Sequence, residues 1–363
     1  MAFAHSRNDD GERHDLIAHL ESVATQARTF AAPFGAGELA YWAGMWHDLG
    51  KFHPDFQDYL RRCEVNPQAK GTGPDHKRAG ATLALQRCQP LSLLVKGHHG
   101  GLPSRRELPG WLKEPSTQAA VATALAAAQG ALGSRLEPPT SPTQPAWVND
   151  APGGEFFLRM LFSALVDADC LDTEAHFNPD RTEARAGAPD LAALWAVLET
   201  DQDRLLAEAD RLALTDMQRQ VNGVRREVYD ACRDTAALPS GFFRLTVPTG
   251  GGKTRSGLAF ALRHALAHDL ARVIVAIPYT SIIEQTAQVY RTIFADERAV
   301  LEHHSAVGGR EEEGDAPVTP DQLWARVAAE NWDAPIVVTT TVQLFESLLG
   351  ARTGACRKLH NIA

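Results

Sequence analysis

FFRLTVPTGGGKTRSGLAFALRHAL, residues 242–266, decides the architecture of the second part of the chain. A β-rich run at 242–247 enters Pro248-Thr249-Gly250-Gly251-Gly252-Lys253-Thr254, and a helical apolar pattern follows. Strand, glycine-rich turn and helix in that order form a phosphate loop. The glycines let backbone N–H groups curl around phosphates, a lysine reaches the β and γ phosphates, and a threonine hydroxyl binds Mg²⁺. Thr249, Gly250, Gly251, Gly252, Lys253 and Thr254 are therefore the candidate residues for ATP with magnesium. The general phosphate-loop pattern asks for glycine where this chain has Val247.

Beyond the loop, short β-rich runs alternate with helical stretches, the pattern of a parallel α/β sheet. Candidate strands are 242–247, 272–277, 299–302 and 335–340. RVIVAIPYTSIIEQT (272–286) places Pro278, Tyr279 and Thr280 after one strand, and PIVVTTTVQLFESLL (335–349) places Thr339, Thr340 and Thr341 at the end of another. Hydroxyls and helix N-termini at such positions suit contacts to a nucleic-acid backbone, which carry no sequence information. Upstream, DMQRQVNGVRREV (216–228) offers Gln218 or Gln220 as an adenine contact. The acidic run at 311–315 reads as a solvated loop.

The first two hundred residues read as helices, with no convincing strand. Residues 12–30 carry Leu16, Leu20, Val23 and Ala27 at helical spacing, and 38–49, 76–88, 155–175 and 189–213 show similar stripes. A loop rich in Pro, Ser and Thr at 137–152 and a polar stretch at 178–189 are surface excursions. At 363 residues, with 44% apolar and 22% charged side chains, the chain has material for two cores. The N-terminus has no apolar h-region, so a cytoplasmic protein without membrane contact is expected. Five scattered cysteines without a C-x-x-C pair support neither a disulfide framework nor a zinc ribbon. A net charge of -9 argues against a protein that coats nucleic acid, yet Arg61-Arg62, Lys77-Arg78 and Arg105-Arg106 make the histidine-rich stretch locally basic.

Polar groups accumulate in these helices where a core ought to be. His47-Asp48 ends LAYWAGMWHDLGK (39–51), His19 shares the face of Leu16, Leu20 and Val23, His76 opens a helix, and His98-His99 precede two glycines. Asp167 and Asp169 lie in FFLRMLFSALVDADCLDTE (156–174), apolar almost all round. A buried carboxylate costs several kcal/mol unless paired or metal-bound. Metal ligation satisfies His19, His47, Asp48, His76, His98, His99 and one of the two aspartates together; helix geometry permits either Asp167 or Asp169. The imidazole-rich set favours Mn, Fe, Co or Ni over magnesium alone.

The order and the H-D-x-G-K form (His47, Asp48, Gly50, Lys51), with the later A-D-x-L-D (Ala168, Asp169, Leu171, Asp172), resemble the HD superfamily of phosphohydrolases. That resemblance makes Asp169 the last ligand. Two ions bridged by Asp48 would then generate a nucleophilic hydroxide and hold a phosphate, with Lys51 stabilising transition-state charge, so Asp48 and Lys51 are the candidate catalytic residues. The P-T-G-x-G-K-T loop and the elements after it resemble superfamily 2 helicases. Combined with the HHS at 303–305, the whole resembles the CRISPR-associated helicase-nuclease family of type I interference systems. The resemblance implies single-stranded DNA as substrate, delivered after an RNA-guided surveillance complex has opened the target, in antiviral defence.

The expected architecture is therefore an all-α HD-type nuclease domain at 1–210, a connecting helix at 211–240, and an incomplete α/β, RecA-like P-loop domain at 241–363. The last residues, KLHNIA, stand where the Walker B strand is expected, so a truncated chain is anticipated. Two other readings are an HD phosphohydrolase acting on a small nucleotide with a regulatory P-loop, and a catalytically silent docking module. The helicase-like segments count against the first, and the full set of ligand types against the second.

Overall fold

The computed structural model describes residues 1–69, 71, 73–305 and 318–362, so the acidic run at 311–315 lies outside the described residues. Contacts divide the chain into two units, Met1–Glu183 with Phe345–Ala363, and Ala184–Leu344. The first is helical and the second carries a parallel sheet, as the sequence pattern leads one to expect.

Up to Phe177 the α-helices of the first unit are α1 (Leu16–Ala31), α2 (Gly37–Trp46), α3 (Pro54–Val65), α4 (Arg78–Arg87), α5 (Gln89–Gly97), α6 (Leu108–Leu112), α7 (Gln118–Leu132) and α8 (Ala151–Phe177). Asp15 caps α1 by accepting from the Ala18 N–H, and Leu16, Leu20, Val23, Ala24 and Ala27 follow on one fully buried face. The central element is α8, 27 residues long, started by an Asp150 cap with a proline in its first turn. Phe157, Leu161, Phe162, Ala164, Leu165, Val166 and Ala168 bury it in the main core, so the carboxylates near its C-terminal half are carried into apolar surroundings.

One feature of this unit departs from the all-helical expectation. Strand β1 (Phe3–His5) pairs antiparallel with β2 (His14–Asp15). The Gln57 side chain clamps this ribbon, accepting from Phe3 N and donating to Phe3 O, both at 2.9 Å. Such short strands carry no alternation signal and are made by a tertiary contact.

After the short α9 (Pro179–Ala184), the second unit holds α10 (Leu191–Leu212), α11 (Asp216–Thr235), α12 (Lys253–Ala267), β3 (Val273–Ile277), α13 (Thr280–Phe294), β4 (Val300–His303), α14 (Pro320–Asn331) and β5 (Ile336–Thr340). The parallel sheet has the order β3-β5-β4, with Val273 and Val300 both opposite Ile336. Ile336, Val337 and Val338 on the middle strand are fully buried. Leu191, Leu194 and Leu198 of α10 share a core with Leu258 and Leu262 of α12 and Val338 of β5. That shared core is why α10 belongs here and not, as a boundary at 210 would have it, with the helical domain. Residues from Phe345 onward join the first unit for a similar reason: Arg357 Nε meets Asp167 Oδ1 at 2.7 Å, and His360 bonds Ser163 at 2.9 Å.

The run at 242–247, expected as a strand, is not one. Among the described residues no strand pairs with it, and Phe242, Phe243 and Leu245 stay exposed. A β-rich sequence becomes a strand only where a ladder partner satisfies its N–H and C=O groups. No helix of the described residues is long and apolar enough to cross a membrane.

Candidate metal centre and phosphate loop

Helix ends deliver the histidines. His47 follows α2, and its Nδ1–H donates to the Gly44 carbonyl at 2.6 Å. His98 follows α5 and donates in the same way to the Val95 carbonyl at 2.7 Å. Each hydrogen bond fixes the tautomer and turns the Nε2 lone pair inward. His76 arrives through a close backbone approach: Gly50 N–H donates to the His76 carbonyl at 3.0 Å, where a Cβ on residue 50 would stand 2.2 Å from that oxygen. Gly50→Ala is therefore expected to destabilise the helical unit by about 1–3 kcal/mol and to loosen His76. A melting curve checks this, and an unchanged midpoint would contradict the close approach.

Asp48 is the hub. Its Oδ2 lies 3.4 Å from His47 Nε2, 3.5 Å from His19 Nε2 and 2.6 Å from Lys51 Nζ, while Oδ1 lies 3.3 Å from His98 Nε2 and 3.7 Å from His76 Nε2. Asp169 Oδ1 is 3.6 Å from both His19 Nε2 and His47 Nε2. Two four-residue sets with ligand atoms close enough for one ion each result: His19, His47, Asp48 and Asp169, and Asp48, His76, His98 and His99. Asp167, the other aspartate helix geometry allowed, is directed elsewhere and is neutralised by Arg357.

The electrostatics ask for a cation. Asp48 Oδ1, His76 Nε2 and His98 Nε2 are buried without a hydrogen-bond partner, while Asp48 Oδ2 is paired with the Lys51 ammonium. Burial pushes His98 down and takes His76 to about 4, leaving neutral imidazoles with lone pairs available. Burial should also lower His47, but the Asp48 and Asp169 carboxylates outweigh it and hold it up at about 10, so without an ion a proton on Nε2 takes the cation's place and a bound ion would have to displace it. Asp48 and Asp169 stay well below the usual carboxylate range; burial opposes this, and Lys51 and His47 beside Asp48, and His47 beside Asp169, overcome it. Orphaned donor atoms around a shared buried carboxylate fit divalent transition ions.

Sequence reasoning did not assign site roles to three residues nearby. Asp172, one helical turn after Asp169, bonds His19 Nδ1 at 2.6 Å. His5 and His14 gather beside His19, with ring centroids 5.0 and 5.2 Å from it. The i,i+3 spacing of Asp169 and Asp172 was a readable signal; the two histidines sit on the β-ribbon and gave none.

In the second unit Gly250 and Gly252 both take φ of 86°, the left-handed region that glycine enters without strain. No side chain caps α12, which begins at Lys253, and Lys253 and Thr254 are exposed. The first-turn N–H groups are thus free of a side-chain competitor for a phosphate. Arg225 of α11 donates from Nε to the Gly250 carbonyl at 2.8 Å. Gln218 has its carbonyl oxygen committed to a capping box, accepting from Leu214 and Thr215 N–H at 2.9 and 3.0 Å; Gln220 is exposed.

Pro278, Tyr279 and Thr280 are exposed after β3. Because Ile277 pairs with Thr340, they emerge beside Thr341 at the same end of the sheet, the edge where open α/β sheets take ligands. Thr339 needs correction as a backbone contact: it is fully buried and donates to the His303 carbonyl at 2.6 Å. Its hydroxyl is spent tying β5 to β4, which leaves Thr340 and Thr341.

Comparison with known proteins agrees with both halves. Residues 4–152 match the family "Cas3, HD domain", and residues 215–360 match "Type III restriction enzyme, res subunit". The chain resembles Cas3 proteins in having an HD-type part followed by a helicase-type part. Its sequence is 26% identical over 416 residues to the CRISPR-associated nuclease/helicase Cas3 of Haloferax volcanii, covering 94% of this chain and 43% of that protein. Crystal structures of T. fusca Cas3 with ATP and with AMPPNP share its fold, each with a TM-score of 0.57, at 19% and 20% identity, covering 99% of this chain and 45% of theirs. The Cas3-like chain thus spans less than half the length of these relatives. Asp169 and Asp172 lie beyond the residues of the HD-domain match.

Proposed function

We propose that the helical unit of this Cas3-like chain is a metal-dependent nuclease centre for single-stranded DNA, and that the α/β unit belongs to an ATP-binding superfamily 2 motor, the two serving CRISPR type I interference. The observation that carries the nuclease reading is the pair of ligand sets sharing Asp48, with buried donor atoms left unpartnered. His19, His47, Asp48 and Asp169 would hold one ion, and Asp48, His76, His98 and His99 a second. Divalent ions bound there supply Lewis acidity toward a phosphate oxygen and lower the pKa of water.

The remaining work falls to the protein. His47 and His98 keep their lone pairs on the centre through backbone hydrogen bonds. Lys51 sets an ammonium beside the shared carboxylate, where it can meet the charge that builds on a phosphate oxygen. His99, at the exposed rim, gives substrate an approach. Pro278, Tyr279, Thr280, Thr340 and Thr341 would guide the DNA backbone, and the loop from Thr249 to Thr254 would take ATP with magnesium. The proposed partner is an RNA-guided surveillance complex, a reading supported by the CRISPR-associated name of the Haloferax volcanii relative.

The purified 363-residue chain, supplied with Mn²⁺ and no nucleotide, is expected to cut labelled single-stranded DNA and to cut blunt duplex at least about tenfold more slowly. Equal rates on the two substrates would contradict the strand preference. Turnover of free nucleotides with DNA left intact would instead favour a small-molecule phosphohydrolase.

A further inference from the structure

The two ligand sets differ in charge, burial and support. His19, His47 and Asp48 are fully buried and Asp169 is 6% exposed, and this inner set contributes two carboxylates. In the outer set Asp48 is the one carboxylate, shared; His76 is half-buried and His99 exposed.

Support differs most at the second nitrogen of each imidazole. His47 and His98 donate to neutral backbone carbonyls. His19 donates from Nδ1 to the Asp172 carboxylate at 2.6 Å, in a buried position that His14 also approaches, at 3.5 Å. A carboxylate behind an imidazole raises its basicity and fixes its orientation, and loss of such a partner typically costs about 10–100-fold in metal affinity. The same bond shows why His5, His14 and His19, although close together, do not make a third ligand set: His19 Nδ1 is occupied by Asp172 and Nε2 faces Asp48 and Asp169.

We propose that the inner set, braced by Asp172 acting as a positioning residue through His19, retains its ion, whereas the outer set of Asp48, His76, His98 and His99 holds an exchangeable ion. The inference rests on the metal reading above and adds an order to it: the inner position fills first, and the rim position loads from solvent at His99.

The test is an Mn²⁺ titration of the chelator-stripped 363-residue protein, with free Mn²⁺ read by electron paramagnetic resonance. Two classes of one ion each are expected, at least about tenfold apart. Asp172→Asn should weaken the tight class by about 10–100-fold and leave the weak class within about twofold. His99→Ala, at an exposed position where folding is not at stake, should weaken the weak class and spare the tight one. A single class of two equal ions overturns the proposal, as does loss of the tight class in His99→Ala or equal weakening of both classes in folded Asp172→Asn. Should Asp172→Asn fail to fold, the His99 variant and the wild-type isotherm decide alone. Absence of any bound Mn²⁺ would be a different failure, overturning the metal centre itself.

Discussion

Asp48→Ala is expected to abolish transition-metal binding and to lower DNA cleavage by about 10³-fold or more, while the helical unit keeps its fold. The size of the effect follows from position. Asp48 is common to both ligand sets, so its removal takes a charged ligand from each, whereas loss of a single histidine injures one. The fold survives because the main core around α1, α2 and α8 is built from Leu20, Val23, Trp46 and Leu165 and owes nothing to this carboxylate. A local cost is expected all the same: Lys51, 4% exposed with its ammonium 2.6 Å from Asp48, loses its counter-charge. Breaking a buried pair from one side typically costs about 3–5 kcal/mol, so the variant should melt earlier than the metal-free wild type. Asp48→Ala combined with Lys51→Met should recover part of that loss and none of the activity. Elemental analysis, circular dichroism and a single-strand cleavage assay read the three quantities; full metal content in the single variant would refute the hub role.

How far the sequence could be read depended on whether the deciding contact was local. The phosphate loop and the His47-Asp48 pair are contiguous, so the residues proposed for each stand together in residue order. The choice between Asp167 and Asp169 was different. Both sit in an apolar helix, and what separates them is Arg357, distant in sequence, which neutralises Asp167. Thr339 and Thr341 look alike in TTT, yet the hydroxyl of one is consumed by the His303 carbonyl of a neighbouring strand. The run at 242–247 has strand composition and no strand partner among the described residues. Helix α10 was placed in the helical domain because its stripe resembles those before it; the leucines that reassign it meet a core assembled from α12 and β5. In each case the residue type was legible and its partner was not.

Lys253→Ala should weaken binding of ATP by at least about 100-fold and leave Mn²⁺-dependent DNA cleavage within about twofold of the parent. The nucleotide effect rests on the loop. Gly250 and Gly252 at φ of 86° hold the backbone in a curl that side chains resist, and the uncapped start of α12 presents N–H groups to an anion. These groups would position a triphosphate, but Lys253 would supply the full positive charge for its β and γ oxygens, and charge-assisted contacts are about twice as strong as neutral ones. Because Lys253 is exposed, alanine there removes no packing and should not shift the melting temperature. Cleavage should be spared because the proposed ligands from His19 to Asp169 all belong to the helical unit and the loop belongs to the other. A fluorescent ATP analogue and a single-strand cleavage assay on one preparation give both readings. Cleavage that needs ATP, or that disappears in Lys253→Ala, would mean that the nuclease centre is assembled only when the loop is filled, and the separation of the two chemistries would fall.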